Sequence, residues 1–102
     1  MTEKSIEMAI LRLMKKHKTE CPKLQALGRR GFPDRTALIP GGKPVFFEIK
    51  TPTGVLSPAQ RRWIKILREL GYEVHVVRSA SEVDRILEGR YVTTATKRPT
   101  AR

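Results

Sequence analysis

Two apolar stretches, Pro44 to Thr51 and Tyr72 to Val77, are joined by a segment with marked helix ends, and this succession constrains the fold more than any other feature of the chain. Ser57 stands at an N-cap, Pro58 at the first helical position and Gly71 just past the last turn, so a helix is predicted over residues 58–70. Trp63, Ile64, Leu67 and Leu70 form its apolar stripe, and Arg61, Arg62, Lys65 and Arg68 lie outside it. A strand, a crossover helix and a second strand imply parallel strands with a right-handed connection. Asp34 to Ile39 reads as a further strand and Pro40-Gly41-Gly42-Lys43 as a hairpin turn, which adds an antiparallel partner to the 44–51 strand.

Around this unit the pattern is helical at both ends. Residues 3–17 read as an amphipathic helix capped by Thr2, with Ile6, Ala9, Ile10, Leu13 and Met14 on one face and Lys4, Arg12, Lys15 and Lys16 opposite. Glu7 falls inside the apolar sector, between Met14 and Leu11, where a carboxylate is out of place. Thr19 to Leu27 is short and mixed, consistent with one strand, before Gly28-Arg29-Arg30-Gly31-Phe32-Pro33 breaks regular structure. Glu82 to Glu88 reads as a short helix capped by Ser81 and closed by Gly89, and residues 90–102 as a flexible basic tail. The expected fold is α/β, a small mixed sheet flanked by helices in the order α-β-β-β-α-β-α, with one domain over residues 1–89.

The 102 residues carry 21 Lys and Arg against 10 Asp and Glu, a net charge of +11. The excess is shared by both halves, with 11 basic and 5 acidic side chains in residues 1–50 and 10 and 5 in residues 51–102, so it is not the property of a tail. Such a balance favours a polyanionic partner, nucleic acid before anionic lipid, through counterion release. No apolar run approaches the ~18 to 20 residues of a membrane helix, and a signal-peptide pattern is absent. Cys21 is the single cysteine, which excludes an intrachain disulfide and points to a reducing cytoplasm.

Glu48 and Lys50 sit two residues apart in Val45-Phe46-Phe47-Glu48-Ile49-Lys50, so strand geometry turns both to the face opposite Val45, Phe47 and Ile49. Asp34 starts the neighbouring hairpin strand, where pairing across the turn brings it beside Glu48. Two adjacent carboxylates make the hard oxygen site that Mg²⁺ prefers, and Mg²⁺ with a nearby Lys suits phosphodiester hydrolysis. The alternative is a solvent-facing strand side with Glu48 and Lys50 as a surface ion pair and Asp34 as a turn residue. Gln60 is open in the same way. It completes a Ser-x-x-Gln capping box with Ser57, the reading the pattern favours, or it faces the sheet from the start of the helix.

Gly31-Phe32-Pro33-Asp34, Phe47-Glu48-Ile49-Lys50-Thr51-Pro52, Leu56-Ser57-Pro58-Ala59-Gln60 and Leu70-Gly71-Tyr72-Glu73-Val74 together resemble the successive motifs of the VRR-NUC domain, the virus-type replication and repair nucleases of the PD-(D/E)XK superfamily. The resemblance spans about Thr2 to Glu88. It implies a restriction-endonuclease-like core and a catalytic set of Asp34, Glu48, Lys50 and Gln60. The implied metal ligands are Glu7, Asp34, Glu48 and the backbone carbonyl of Ile49, holding Mg²⁺, with Mn²⁺ able to substitute. Lys23 matches a Lys that often precedes the Gly-x-Pro-Asp motif. The resemblance further implies a phage or bacterial stand-alone endonuclease that acts in DNA repair on branched or flapped DNA such as four-way junctions, as a homodimer, with no membrane and no small-molecule cofactor.

Arg29, Arg30, Arg35, Arg61 and Arg62, with Lys23, are the expected phosphate contacts. Trp63 is read as core, Cys21 as a small buried side chain, His75 as structural, and His17 as a cation suited to a helix C-terminus. The competing function is a non-catalytic basic DNA-binding module in which Asp34, Glu48 and Lys50 are structural only.

Overall fold

The computed structural model of the chain describes residues 2–17, 19–23, 30–39 and 41–97, with residues 90–97 given by their backbone alone. Helix α1 (Glu3–Lys16) starts at Thr2, whose hydroxyl accepts from Ser5 N at 3.0 Å while Ser5 Oγ accepts from Thr2 N at 3.1 Å. This reciprocal box satisfies two of the donors a helix start leaves open. Ile6, Ile10 and Met14 are the buried face.

Strands β1 (Arg35–Ala37) and β2 (Val45–Ile49) pair antiparallel, and β3 (Glu73–Val77) pairs parallel with β2, giving the order β1-β2-β3. The crossover is helix α2 (Pro58–Glu69). Its C-terminus closes as a left-handed cap: Gly71 N donates to Arg68 O at 3.0 Å and Tyr72 N to Leu67 O at 2.9 Å, with Gly71 at φ 92°. Leu70 therefore sits at the cap with its side chain in solvent, outside the buried stripe that helical spacing assigns it.

Two further expectations are modified. The stretch expected to form a strand between Thr19 and Leu27 contributes two bridges, Glu20 to Leu38 and Lys23 to Arg35, which share one antiparallel register along β1; residues 24–29 lie outside the described residues. The last helix, α3 (Ala80–Lys97), is longer than the predicted 82–88. Ser79 Oγ, not Ser81, accepts from Glu82 N, at 3.3 Å, and Gly89 is carried inside the helix at a cost of about 1 kcal/mol relative to Ala. Residues 98–102 of the expected tail lie outside the described residues.

The sheet separates two apolar layers. Val45, Phe47, Ile49 and Val77 pack against Ile6, Ile10 and Met14 of α1 and Val83 and Leu87 of α3. His17 Nε2, 3.0 Å from Asp84 Oδ1, ties those two helices together. On the other face Phe46 and Val74 pack against Ile64 and Leu67 of α2, joined by Phe32 and Trp63, whose rings meet edge to face at 5.2 Å. Trp63 is part of this layer, as its position in the stripe predicts. Glu48, of the same strand parity as Phe46, lies on the α2 side.

Candidate active site

The site is assembled where β1 begins, β2 ends and α2 starts. Continuing the pairing of Arg35 with Phe47 by one residue sets Asp34 opposite Glu48, as the hairpin predicts. Asp34 Oδ2 accepts from Ile49 N at 3.0 Å, which anchors the carboxylate to the end of β2. Gly31 explains how the chain reaches this position. It adopts φ +89°, and a Cβ there would fall 2.5 to 2.7 Å from Ala59 and Gln60 backbone atoms, so the Gly31-Phe32-Pro33-Asp34 segment passes directly against the first turn of α2.

Glu48 is 2% exposed, which removes the reading of a solvent-facing strand side. Gln60 Nε2 donates to Glu48 Oε2 at 2.9 Å, and the same amide accepts from Ser57 N through Oε1 at 2.8 Å, while Ser57 Oγ accepts from Gln60 N at 3.1 Å. The two readings of Gln60 are both realised, one at each end of its amide. Among the described residues, Glu48 Oε1 is buried without a hydrogen-bond partner. Burial first, then the negative charge of Asp34 beside it, push the Glu48 carboxyl up from 4.5 to about 8; Lys50 opposes that rise and Glu3 adds to it.

These features fit a divalent cation. Two carboxylates in contact and a buried oxygen with no donor are stabilised by a hard positive charge, and the Ile49 carbonyl belongs to the same strand end. No cluster of three or more His, Cys, Asp or Glu side chains that could hold a metal occurs among the described residues, so the protein donors brought together are Asp34 and Glu48. Mg²⁺ retains several of its waters and binds through one or two carboxylates.

Lys50, its side chain 12% exposed, has Nζ 3.9 Å from Glu3 Oε2. The α1 carboxylate near the site is thus Glu3, which the sequence reading passed over. Glu7, one helical turn later, is not brought to Asp34 and Glu48. Its Oε2 accepts from Arg35 Nε at 2.9 Å and lies 2.8 Å from Arg35 Nη2, and both side chains are 14% exposed. A dedicated cation accounts for a carboxylate on an apolar helix face. The same pair engages Arg35, which also donates from Nη1 to Cys21 O at 3.0 Å and does not stand free as the expected phosphate contact.

Lys23, Arg30, Arg61 and Arg62 are exposed, with Arg61 Nη1 donating to Leu56 O at 2.8 Å; Arg29 lies outside the described residues. Cys21 is half-buried, and that burial raises its thiol to about 11, which leaves it protonated at neutral pH. His75 pairs with Glu73 and stacks on Phe47, with burial and then Arg68 lowering its pKa.

The sequence model of the VRR-NUC domain matches residues 1–81. A phage protein named "Putative nuclease p44", from Acyrthosiphon pisum secondary endosymbiont phage 1, is 38% identical over 77 residues, which cover 76% of this chain and 83% of that protein. A solved structure named as a VRR-NUC domain superposes with a TM-score of 0.76 at 29% identity, covering 84% of this chain and 94% of the other. A second, a VRR-NUC domain protein, shares the fold with a TM-score of 0.76 at 20% identity, over 90% and 89% of the two chains.

Proposed function

The chain belongs to the VRR-NUC family, and on that premise we propose that it is a Mg²⁺-dependent endodeoxyribonuclease that cuts branched DNA, such as four-way junctions, as a homodimer. The observation that carries the metal-dependent chemistry is Glu48, buried beside Asp34 with one oxygen unpartnered among the described residues. The family and the phage relative support nuclease chemistry on DNA.

In this reading Asp34 and Glu48, with the Ile49 carbonyl, hold the cation, for which Mn²⁺ substitutes. A bound divalent cation neutralises the scissile phosphate and makes a coordinated water more acidic. Gln60 fixes the orientation of Glu48 by donating to Oε2, which leaves Oε1 as the oxygen turned to a ligand. Lys50 supplies a short-range cation on the same strand face, suited to holding a phosphate oxygen, and only as its neutral amine could it take a proton from the attacking water. Exposed Lys23, Arg30, Arg61 and Arg62 then meet the phosphate backbone. Glu7, held by Arg35, acts through the position of α1 against β1.

The branched substrate and the dimer rest on the family resemblance and on symmetry. A domain of this size has room for one site, and symmetric cutting of a junction requires two sites related by a two-fold axis. The setting is a reducing cytoplasm, in keeping with a single half-buried thiol; among the described residues no helix is long and apolar enough to cross a membrane.

The test is incubation of the purified protein with labelled four-way junction, duplex and single-stranded DNA in Mg²⁺, Mn²⁺ or EDTA, with sedimentation to give the oligomeric state. Metal-dependent cuts placed symmetrically on the junction are expected. Absence of cleavage on all three substrates overturns the enzyme, and cutting by a monomer overturns the dimer.

A further inference from the structure

Arg78 lies one residue beyond β3, outside every motif that the sequence singles out, and one nitrogen of its guanidinium is committed to a single turn. Nη1 donates to both Thr51 O and Gly54 O, each at 2.7 Å, and the backbone N–H of Arg78 donates to the Glu82 carboxylate in the first turn of α3. The parallel pairing of Ile49 with Val77 brings Arg78 level with Lys50, whose N–H donates to Val77 O at 3.0 Å.

The turn that Arg78 grips is the one that follows Lys50. It is closed by Gly54 N donating to Thr51 O at 3.1 Å. A Cβ on Gly54 would stand 3.4 Å from Lys50 Cδ and 3.1 Å from Thr51 Oγ1, so the turn lies against the stem of the Lys50 side chain. Two residues further on, Leu56 leads into Ser57 and the first turn of α2, which carries Gln60. One guanidinium therefore braces the only covalent link between Lys50 and Gln60. Holding an arginine in one geometry sacrifices about 2 kcal/mol of side-chain entropy, which a merely solvated cation would keep.

We propose that Arg78 is a positioning residue for strand cleavage: by bridging Thr51 O and Gly54 O it fixes the spacing of the Lys50 ammonium and the Gln60 amide about Glu48. The inference rests on the nuclease reading above. Among the described residues Arg78 bonds to Thr51, Gly54 and Glu82 and not to Asp34 or Glu48, so it acts through the turn.

The test compares wild type with Arg78→Ala and Arg78→Lys. The readouts are kcat and KM on a cleaved DNA in Mg²⁺, Kd for the same DNA in Ca²⁺, and Tm. Misplacing reacting groups without removing them lowers kcat on the order of 10²-fold in Arg78→Ala, with KM and the Ca²⁺ Kd held within about twofold. Arg78→Lys recovers little of that loss, since the lysine ammonium ends one bond short of the position from which Nη1 reaches both carbonyls. Added guanidinium ion at non-denaturing concentration restores part of the Arg78→Ala rate and none of the Arg78→Lys rate. If Arg78→Ala does not fold, Arg78→Lys carries the comparison.

Unchanged kcat in a folded variant overturns the proposal. So does a weakened Ca²⁺ Kd at full kcat, which would make Arg78 a phosphate contact. Failure of wild type to cut any DNA overturns the nuclease reading and this inference with it; active wild type with variants at full kcat overturns this inference alone.

Discussion

The two faces of the sheet hold one buried carboxylate system each and treat it in opposite ways. On the α1 and α3 face, Glu7 is matched by the forked guanidinium of Arg35, so the charge is neutralised by the protein itself. On the α2 face, Glu48 is given a second carboxylate and one amide donor, and its pKa rises to about 8. The first arrangement is complete in the folded chain. The second leaves an oxygen of Glu48 unmatched among the described residues, which a bound cation would match under the proposed function, and that difference would separate a structural acid from a ligand-binding one even though both are nearly buried.

The most severe way to break the contrast is Glu48→Gln. Losing one oxygen donor of the site while keeping shape and the Gln60 contact should lower cleavage by on the order of 10³-fold, with DNA binding in Ca²⁺ retained or tightened. Cleavage assays paired with electrophoretic binding measure both. Retained cleavage would return Glu48 to the same status as Glu7 and favour the non-catalytic binding module.

Next in size is the pH dependence of stability with EDTA present. The folded pKa of Glu48, about 8, lies above the ordinary value of 4.5, so between these pH values the folded chain holds a proton that the unfolded chain releases. Its contribution to stability is fully present below about 4.5 and is lost as pH rises through about 8, by a few kcal/mol at most. Thermal melts of wild type and Glu48→Gln from pH 4.5 to 8.5 should diverge, with wild type losing stability relative to the variant. Ca²⁺ should offset that loss, because the ion takes the place of the proton. Parallel curves would mean that Glu48 titrates normally.

Glu7→Gln sharpens the comparison from the other face. It leaves the Arg35 guanidinium largely buried without its counter-charge, at a cost of about 2 kcal/mol, or roughly 10 °C in Tm for a domain of this size. Per folded molecule, kcat and the Mg²⁺ concentration for half-activity should stay unchanged. A raised Mg²⁺ requirement would show that Glu7 leaves Arg35 and joins the cation, as the family resemblance implies.

What the sequence made legible follows the range of its signals. Ser57-Pro58 and Gly71 mark α2 because caps are local chemistry, and the hairpin register that sets Asp34 beside Glu48 follows from the length of the turn. Strand parity told which face Glu48 occupies but not that the first turn of α2 covers it, since that depends on Gly31 letting the chain pass at van der Waals contact. The position of Glu7 on the helical wheel flagged an anomaly without naming its partner. Arg35 is 28 residues away, and its charge reads equally well as a phosphate contact. Arg78 and Glu3 gave no local signal, because one is placed by the crossover and the other by how α1 lies across the strand ends.

The smallest expected effect tests whether the cap and the site on Gln60 are separable. Ser57→Ala removes the hydroxyl that accepts from Gln60 N, at a cost of about 1 kcal/mol. The backbone N–H of residue 57 remains and still donates to Gln60 Oε1, so the amide keeps both its anchor and its bond to Glu48. Tm should fall by a few degrees with kcat within about twofold of wild type. Gln60→Ala, which deletes both ends of the amide, should lower kcat by at least tenfold more than Ser57→Ala does. Equal losses in the two variants would mean that the helix cap, rather than the amide held by Glu48, sets the geometry of the α2 face.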